Sequence, residues 1–210
     1  MAILQGCGVV LQGMNSVRRN GYAYIWGNLA FLLLSLPIVT APAAYSALVR
    51  MAYETQTEPT TADLGLFWET FRKNLWRALP WGMVNVLFVG VTFSNFLAYN
   101  DVPGFAVYCL RLAWLCSIFV WCGIVLYTWT LYYEMDNPSV WGATRNALVM
   151  TLKNPLFTFA VVIGVMLLSA ISTALPMLWI LLTWSAVAAI GTAAALNRLA
   201  EFRSSQEKHA

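Results

Sequence analysis

Apolar residues run along this chain in five long stretches: Tyr22–Val49, Leu75–Tyr99, Phe105–Tyr133, Pro155–Leu175 and Met177–Leu196. The last four each supply the roughly 20 apolar residues that a helix needs to cross a bilayer. The first is broken twice, because Pro37 and Pro42 lack a backbone donor and crowd the residue before them. Its arms rise only about 22 Å over Tyr22–Leu36 and about 17 Å over Ala43–Tyr53, against a hydrocarbon core of about 30 Å. The pattern predicts two helical arms around an elbow at Pro37–Pro42, forming a kinked span, a re-entrant pair or a short hairpin.

Two polar linkers, residues 54–74 and 134–154, carry a helical pattern of their own. In the first, Thr60 or Thr61 suits a cap and Asp63 suits the positive helix start, after which Leu64, Phe67, Trp68, Phe71 and Leu75 mark one face. In the second, Asn137-Pro138 reads as a cap followed by proline at the first helical position, with Trp141, Leu148 and Leu152 as a weaker stripe interrupted by Arg145. Both predict amphipathic helices in the headgroup layer, and their aromatics Phe67, Trp68, Phe71 and Trp141 make a candidate docking face. A faint repeat accompanies them: Arg18-Arg19-Asn20, Arg72-Lys73-Asn74 and Lys153-Asn154 each precede an apolar stretch.

Composition agrees with the pattern. The chain has 210 residues, 60% of them apolar and 10% charged, with a mean hydropathy of +0.67, well outside the usual soluble range. Ten Trp and nine Tyr suit two interfacial belts. Folding the broken stretch back on itself puts Arg18, Arg19, Arg50, Arg72, Lys73, Arg77, Arg145, Lys153, Arg198, Arg203 and Lys208 on one side, with only Arg111 elsewhere. By the positive-inside rule that side is cytoplasmic and holds both termini. The expected architecture is an all-α polytopic membrane protein of five to six membrane segments, with the lipid bilayer as its surroundings. It is organised as one domain: a Pro-broken hairpin at 21–53, an interfacial helix plus hairpin at 60–133, a second such unit at 137–197, and a polar tail at 198–210. Met1–Val17 reads as a tail whose apolar run is too short for a signal-peptide core; the first true span is expected to act as an uncleaved anchor.

Candidate chemistry changes this picture little. The chain carries no Ser/His/Asp set, phosphate-cradling glycine run or HExxH motif, and its single histidine is His209. Cys7, Cys109, Cys116 and Cys122 form no CxxC or Cys/His cluster. The expectation is a protein that is not an enzyme, with no cofactor, no metal and no nucleic-acid partner. What remains are polar groups inside apolar helices, each of which invites a functional reading. Arg111, about 10 Å into its helix, either snorkels to the outer headgroups or faces an anion or sugar in a cavity. Asn28, Asn85 and Asn95 either bridge helices or bind ligand. Glu134 and Asp136 are expected to be solvated or paired with Arg145 or Lys153. The elbow, from Pro37 through Thr40 to Pro42, must satisfy its loose backbone groups within protein or in a watery cavity.

The run Asn28-Leu-Ala-Phe-Leu-Leu-Leu-Ser-Leu-Pro-Ile-Val-Thr-Ala-Pro-Ala-Ala-Tyr-Ser-Ala-Leu48 resembles the signature of the YesL-like family of bacterial membrane proteins. Phe67 and Phe71-Arg-Lys-Asn74 resemble the family's aromatic, Lys-Asn-containing helix; Ala41 departs from its common glycine. The family's domain has no known function, but its members are often encoded beside sugar-uptake ABC transporters. The resemblance implies a plasma-membrane protein associated with carbohydrate import, with ABC sugar permease subunits as partners. The alternative is a stand-alone small-solute transporter or channel, with a polar cavity bounded by the elbow, Asn28, Asn85 and Arg111.

Overall fold

Prolines and short polar side chains divide the chain into helices at the places where they suit a helix start. A computed structural model describes residues 1–207; Lys208 and His209, both considered above, lie outside the described residues. The described chain is all-helical, with α1 (Ala2–Arg19), α2 (Gly21–Ser35), α3 (Ala41–Thr57), α4 (Leu64–Ala98), α5 (Phe105–Tyr133), α6 (Val140–Lys153) and α7 (Pro155–Ala174), followed by α8 (Pro176–Glu207). Asp63 caps α4 by accepting from the Leu66 N–H, and Ser139 caps α6 by accepting from Gly142. These, not Thr60/Thr61 and Asn137, hold the first-turn donors.

Among the described residues four helices are long and apolar enough to cross a membrane: α4, α5, α7 and α8. The apolar window of α4 buries almost nothing against protein, whereas that of α8 is more than half buried. Val86, Leu87, Val89, Val91, Phe93 and Leu97 of α4 are all exposed. An apolar surface that large and continuous belongs against lipid. At 15 and 17 residues, α2 and α3 fall short of a full crossing.

The broken stretch folds back on itself. Gly27 meets Leu48 and Met51, and Phe31 meets Tyr45, so α2 and α3 run antiparallel on either side of the elbow. Next, α3 pairs antiparallel with the first half of α4: Ser46 with Asn74, Tyr45 with Trp81 and Pro42 with Gly82. Any side chain at Gly82 would overlap the Pro42 ring, so glycine there is what lets the elbow dock.

Several sequence-based boundaries move. The expected interfacial helix at 60–74 and the span after it are one continuous α4, 35 residues long with Pro80 inside it. The buried positions Phe67, Thr70, Phe71, Asn74, Ala78 and Gly82 stay in phase across the expected junction, so nothing breaks the helix there. The second linker does form a separate helix, α6, ended by Asn154 and Pro155. In the repeat, Asn20 and Asn154 do the same job, each donating its side-chain amide back to the carbonyl four residues earlier at a helix end. Asn74 instead lies buried in mid-helix. The polar tail is helical through Glu207, and Arg198 is buried, lying 4.0 Å over the Phe157 ring and paired with Glu201.

The largest correction is α1, which the pattern reads as a tail. Val9, Val17, Gly6 and Gly13 form a buried stripe at helical spacing. A side-chain carbon at Gly6 would lie 2.6 Å from the Ala160 methyl, and one at Gly13 only 2.8 Å from the Ile190 backbone. Bare glycines therefore let α1 lie close against α7 and α8. The contacts Gly6–Ala160 and Val10–Gly164 make α1 parallel to α7, while Gln5–Arg198 and Gly13–Ile190 make it antiparallel to α8. Arg18 consequently stands about 20 Å along α1 from the Gln5–Arg198 contact.

Candidate functional site at the elbow

The elbow is built to satisfy itself. Pro37 is extended and Ile38–Thr40 form a single 3-10 turn closed by Thr40 N–H donating to the Pro37 carbonyl at 2.8 Å. The Thr40 hydroxyl donates to the Leu34 and Pro37 carbonyls, at the break between α2 and α3. Pro42 then occupies the first turn of α3, where its missing N–H costs nothing.

Beside the elbow lies a cavity of about 450 Å³ lined by Phe31, Ile38, Pro42, Tyr45, Trp81, Gly82, Asn85, Trp121, Cys122, Val165 and Trp184, among others. Its walls are almost wholly apolar. Of the candidate polar groups only Asn85 reaches it, and Asn85 is already engaged. Its amide donates to Trp81 of its own helix at 2.7 Å, and its carbonyl accepts from the Trp121 indole at 3.1 Å. That bridge and the stacked Phe88–Trp121 rings, 4.2 Å apart, join α4 to α5 through side chains.

Asn28 sits elsewhere, fully buried against a π turn at Trp179–Thr183 of α8. A π turn interrupts the regular ladder. Here Asn28 donates to the carbonyls of Trp179 at 3.0 Å and Ile180 at 2.6 Å, and accepts from the Ser185 N–H at 3.1 Å. One turn earlier, the Ser185 hydroxyl donates to the Tyr24 carbonyl at 2.6 Å. Arg111 is at a third location, with its guanidinium on the carbonyls of Tyr99, Asn100 and Val102. It closes the α4–α5 loop, where Gly104 takes φ 136°, a conformation that favours glycine. The polar cavity expected from Asn28, Asn85, Arg111 and the elbow therefore does not assemble: the cavity is real, but it is apolar.

The candidate docking aromatics divide. Phe67 and Phe71 are buried in the core, so they are not surface groups, whereas Trp68 and Trp141 are 49% and 78% exposed. The periodic stripe had two faces superimposed in it; the buried side is the one continuous with Asn74 and Gly82.

A second depression, about 200 Å³, was not legible in the sequence. Arg50, Lys73, Arg77, Asn74, Tyr132 and Tyr133 line it, with Glu69 and Thr70 alongside. Arg50 pairs with Glu54 and lies over the Tyr53 and Tyr133 rings, at 5.4 and 5.0 Å from their centroids. Arg77 donates to the Tyr132 hydroxyl at 3.3 Å, and Asn74 to Ser46 and Tyr133. Just behind, Tyr53 donates to Glu134 at 2.8 Å and Arg203 bonds the other carboxylate oxygen at 2.6 Å. Glu134 thus ties α3, α5 and α8 together; it is neither a free loop charge nor a partner of Arg145 or Lys153. Burial, followed by the bond to Glu134, pushes the Tyr53 phenol up to about 12, so it stays a donor at neutral pH.

Residues 24–96 match a family described as "Protein of unknown function, DUF624". The matched region runs from α2 through the elbow and α3 to near the end of α4, and it contains the Asn28–Leu48 run whose pattern resembles YesL-like proteins. No curated protein and no solved structure matches the chain.

Proposed function

We propose that this chain is a non-enzymatic accessory protein of the bacterial plasma membrane that works by holding a partner, and that the partner is a carbohydrate ABC permease. The observation that carries the reading is where the polar groups go. Asn28, Thr40 and Arg111 are spent on the chain's own backbone at three separate places, and the cavity at the elbow has apolar walls. That arrangement suits a scaffold better than a path for a sugar, whose hydroxyls need matching polar groups. The exposed Trp68 and Trp141 supply large, low-entropy contact area for a partner. The link to carbohydrate import comes from the YesL-like resemblance, and the same reading keeps both termini cytoplasmic. Purification in mild detergent from native membranes should recover permease subunits, and the pair Trp68→Ala with Trp141→Ala should weaken that recovery. Recovery of the chain without any permease subunit sinks the proposal.

The cavity favours a second reading, a stand-alone transporter. It requires solute flux in liposomes containing only this protein, reduced when Val165→Phe fills the cavity. Flux from such liposomes indistinguishable from that of empty ones removes it.

A further inference from the structure

The basic cleft and the apolar cavity lie on one flank of α4. Reading up that helix, Lys73, Asn74 and Arg77 line the cleft, and Trp81, Gly82, Asn85 and Val86 line the cavity. The helical spacing of three and four continues from one set to the next without a break. Between them stands an aromatic cluster in which Trp129 packs on Trp81 on one side and on Tyr132 and Tyr133 on the other. From Lys73 to Val86 the helix rises about 20 Å, which is half the thickness of a bilayer with its headgroups. Cations, then indoles and phenols, then an apolar chamber is the sequence of chemistries met along a phospholipid from phosphate to chain.

The cleft itself favours an anion. Arg50, Lys73 and Arg77 face Glu69 there, and Glu54 is already paired with Arg50 from its own helix, so positive charge remains in excess. Lys73 makes no ion pair among the described residues. A guanidinium fork binds phosphate oxygens two at a time and an ammonium adds a mobile point charge.

We propose that this flank of α4 binds one anionic phospholipid, its phosphate held by Arg50, Lys73 and Arg77 and one acyl chain lodged in the elbow cavity. The site does not depend on the permease reading. It makes the elbow a wall of a lipid site and explains why that wall is apolar. The elbow's side chains Ile38 and Pro42 touch the chain while its backbone looks after itself through Thr40.

The test uses the purified full chain, delipidated in mild detergent, with bound lipid counted by native mass spectrometry. Dioleoyl phosphatidylglycerol should be retained at one per chain, about tenfold more tightly than dioleoyl phosphatidylcholine. The double variant Lys73→Gln with Arg77→Gln should lose that preference, and Lys73→Gln alone, at an exposed position, should lose part of it without disturbing the fold. Arg72→Gln, outside the cleft, should change nothing. Val165→Phe should weaken dioleoyl but not dihexanoyl phosphatidylglycerol. The proposal is overturned if the two dioleoyl lipids bind alike, or if the variants, with unfolding midpoints unchanged, keep the full preference. Displacement by millimolar inorganic phosphate also overturns it, by making this a free-anion site. Displacement by oleate alone does so too, by making it a chain site with no headgroup contact.

Discussion

Replacing Asn28 by Ala leaves the Ser185 N–H without its partner in a buried place and the carbonyls of Trp179 and Ile180 without theirs in part-buried ones. Unpaired buried groups of this kind cost about 2 kcal/mol. For a chain of this length that lowers the unfolding midpoint by roughly 4–8 °C. Asn28→Asp should be at least as damaging, since a carboxylate repels the two carbonyls; a midpoint unchanged in both variants would remove Asn28 from the framework. Arg111→Leu has a different signature. Its guanidinium holds an exposed loop, so the expected effect is faster hydrogen exchange and proteolysis over residues 99–104, with global stability changed by less than about 1 kcal/mol. At Gly82 the elbow and α4 approach so closely that Gly82→Val must push Pro42 away. We expect a loss of about 1–3 kcal/mol, read as a lower unfolding midpoint, and exposure of Tyr45 to quenchers.

At the scale of the element, α1 shows how a helix can hide from a hydropathy reading. Its sequence is only weakly apolar, and the residues that seat it are glycines, which count for nothing in a hydrophobic pattern but permit close approach. Gly13→Val should lift α1 from α8. The measurement is hydrogen exchange: amides of residues 2–19 lose protection while those of α7 and α8 keep theirs. Equal protection in variant and wild type would mean that the close packing is dispensable. The continuity of α4 has a related cause. The linker's amphipathic stripe and the span's inner face share one phase, and Asn74 fits the buried stripe because Ser46 and Tyr133 are there to bond it. Phe67 and Phe71 were legible as apolar positions; which partner they meet was not.

For the whole molecule, the shared Glu134 fixes one end of the bundle, with Tyr53 of α3 and Arg203 of α8 both on its carboxylate. Single cysteines at 50 and 203, in a background with the native cysteines replaced by serine, should therefore react with impermeant maleimide from the same face. A cysteine at 101, at the far end of the α4–α5 pair, should react from the other. The cytoplasmic reading of the amino terminus expects position 18 to label with position 50. Labelling of 18 with 101 would make α1 a crossing segment, in keeping with its run parallel to α7.

Composition and periodicity alone were sufficient for the all-helical class, for four helices able to cross a bilayer and for a break at two prolines, while the reversal there was favoured only by the distribution of Arg and Lys. Those features depend on local chemistry: apolar runs of a given length, a missing N–H, a cap. The fate of each polar group was decided by the tertiary structure, because a hydrogen-bond partner lies far away in sequence. Asn28 finds a π turn some 150 residues on, Glu134 finds Tyr53 and Arg203, and Arg111 finds the loop before its own helix. For the same reason the basic cleft could not be read in advance. Arg50 comes from α3, Lys73 and Arg77 from α4, and the phenols beside them from α5, and only packing brings them to one flank.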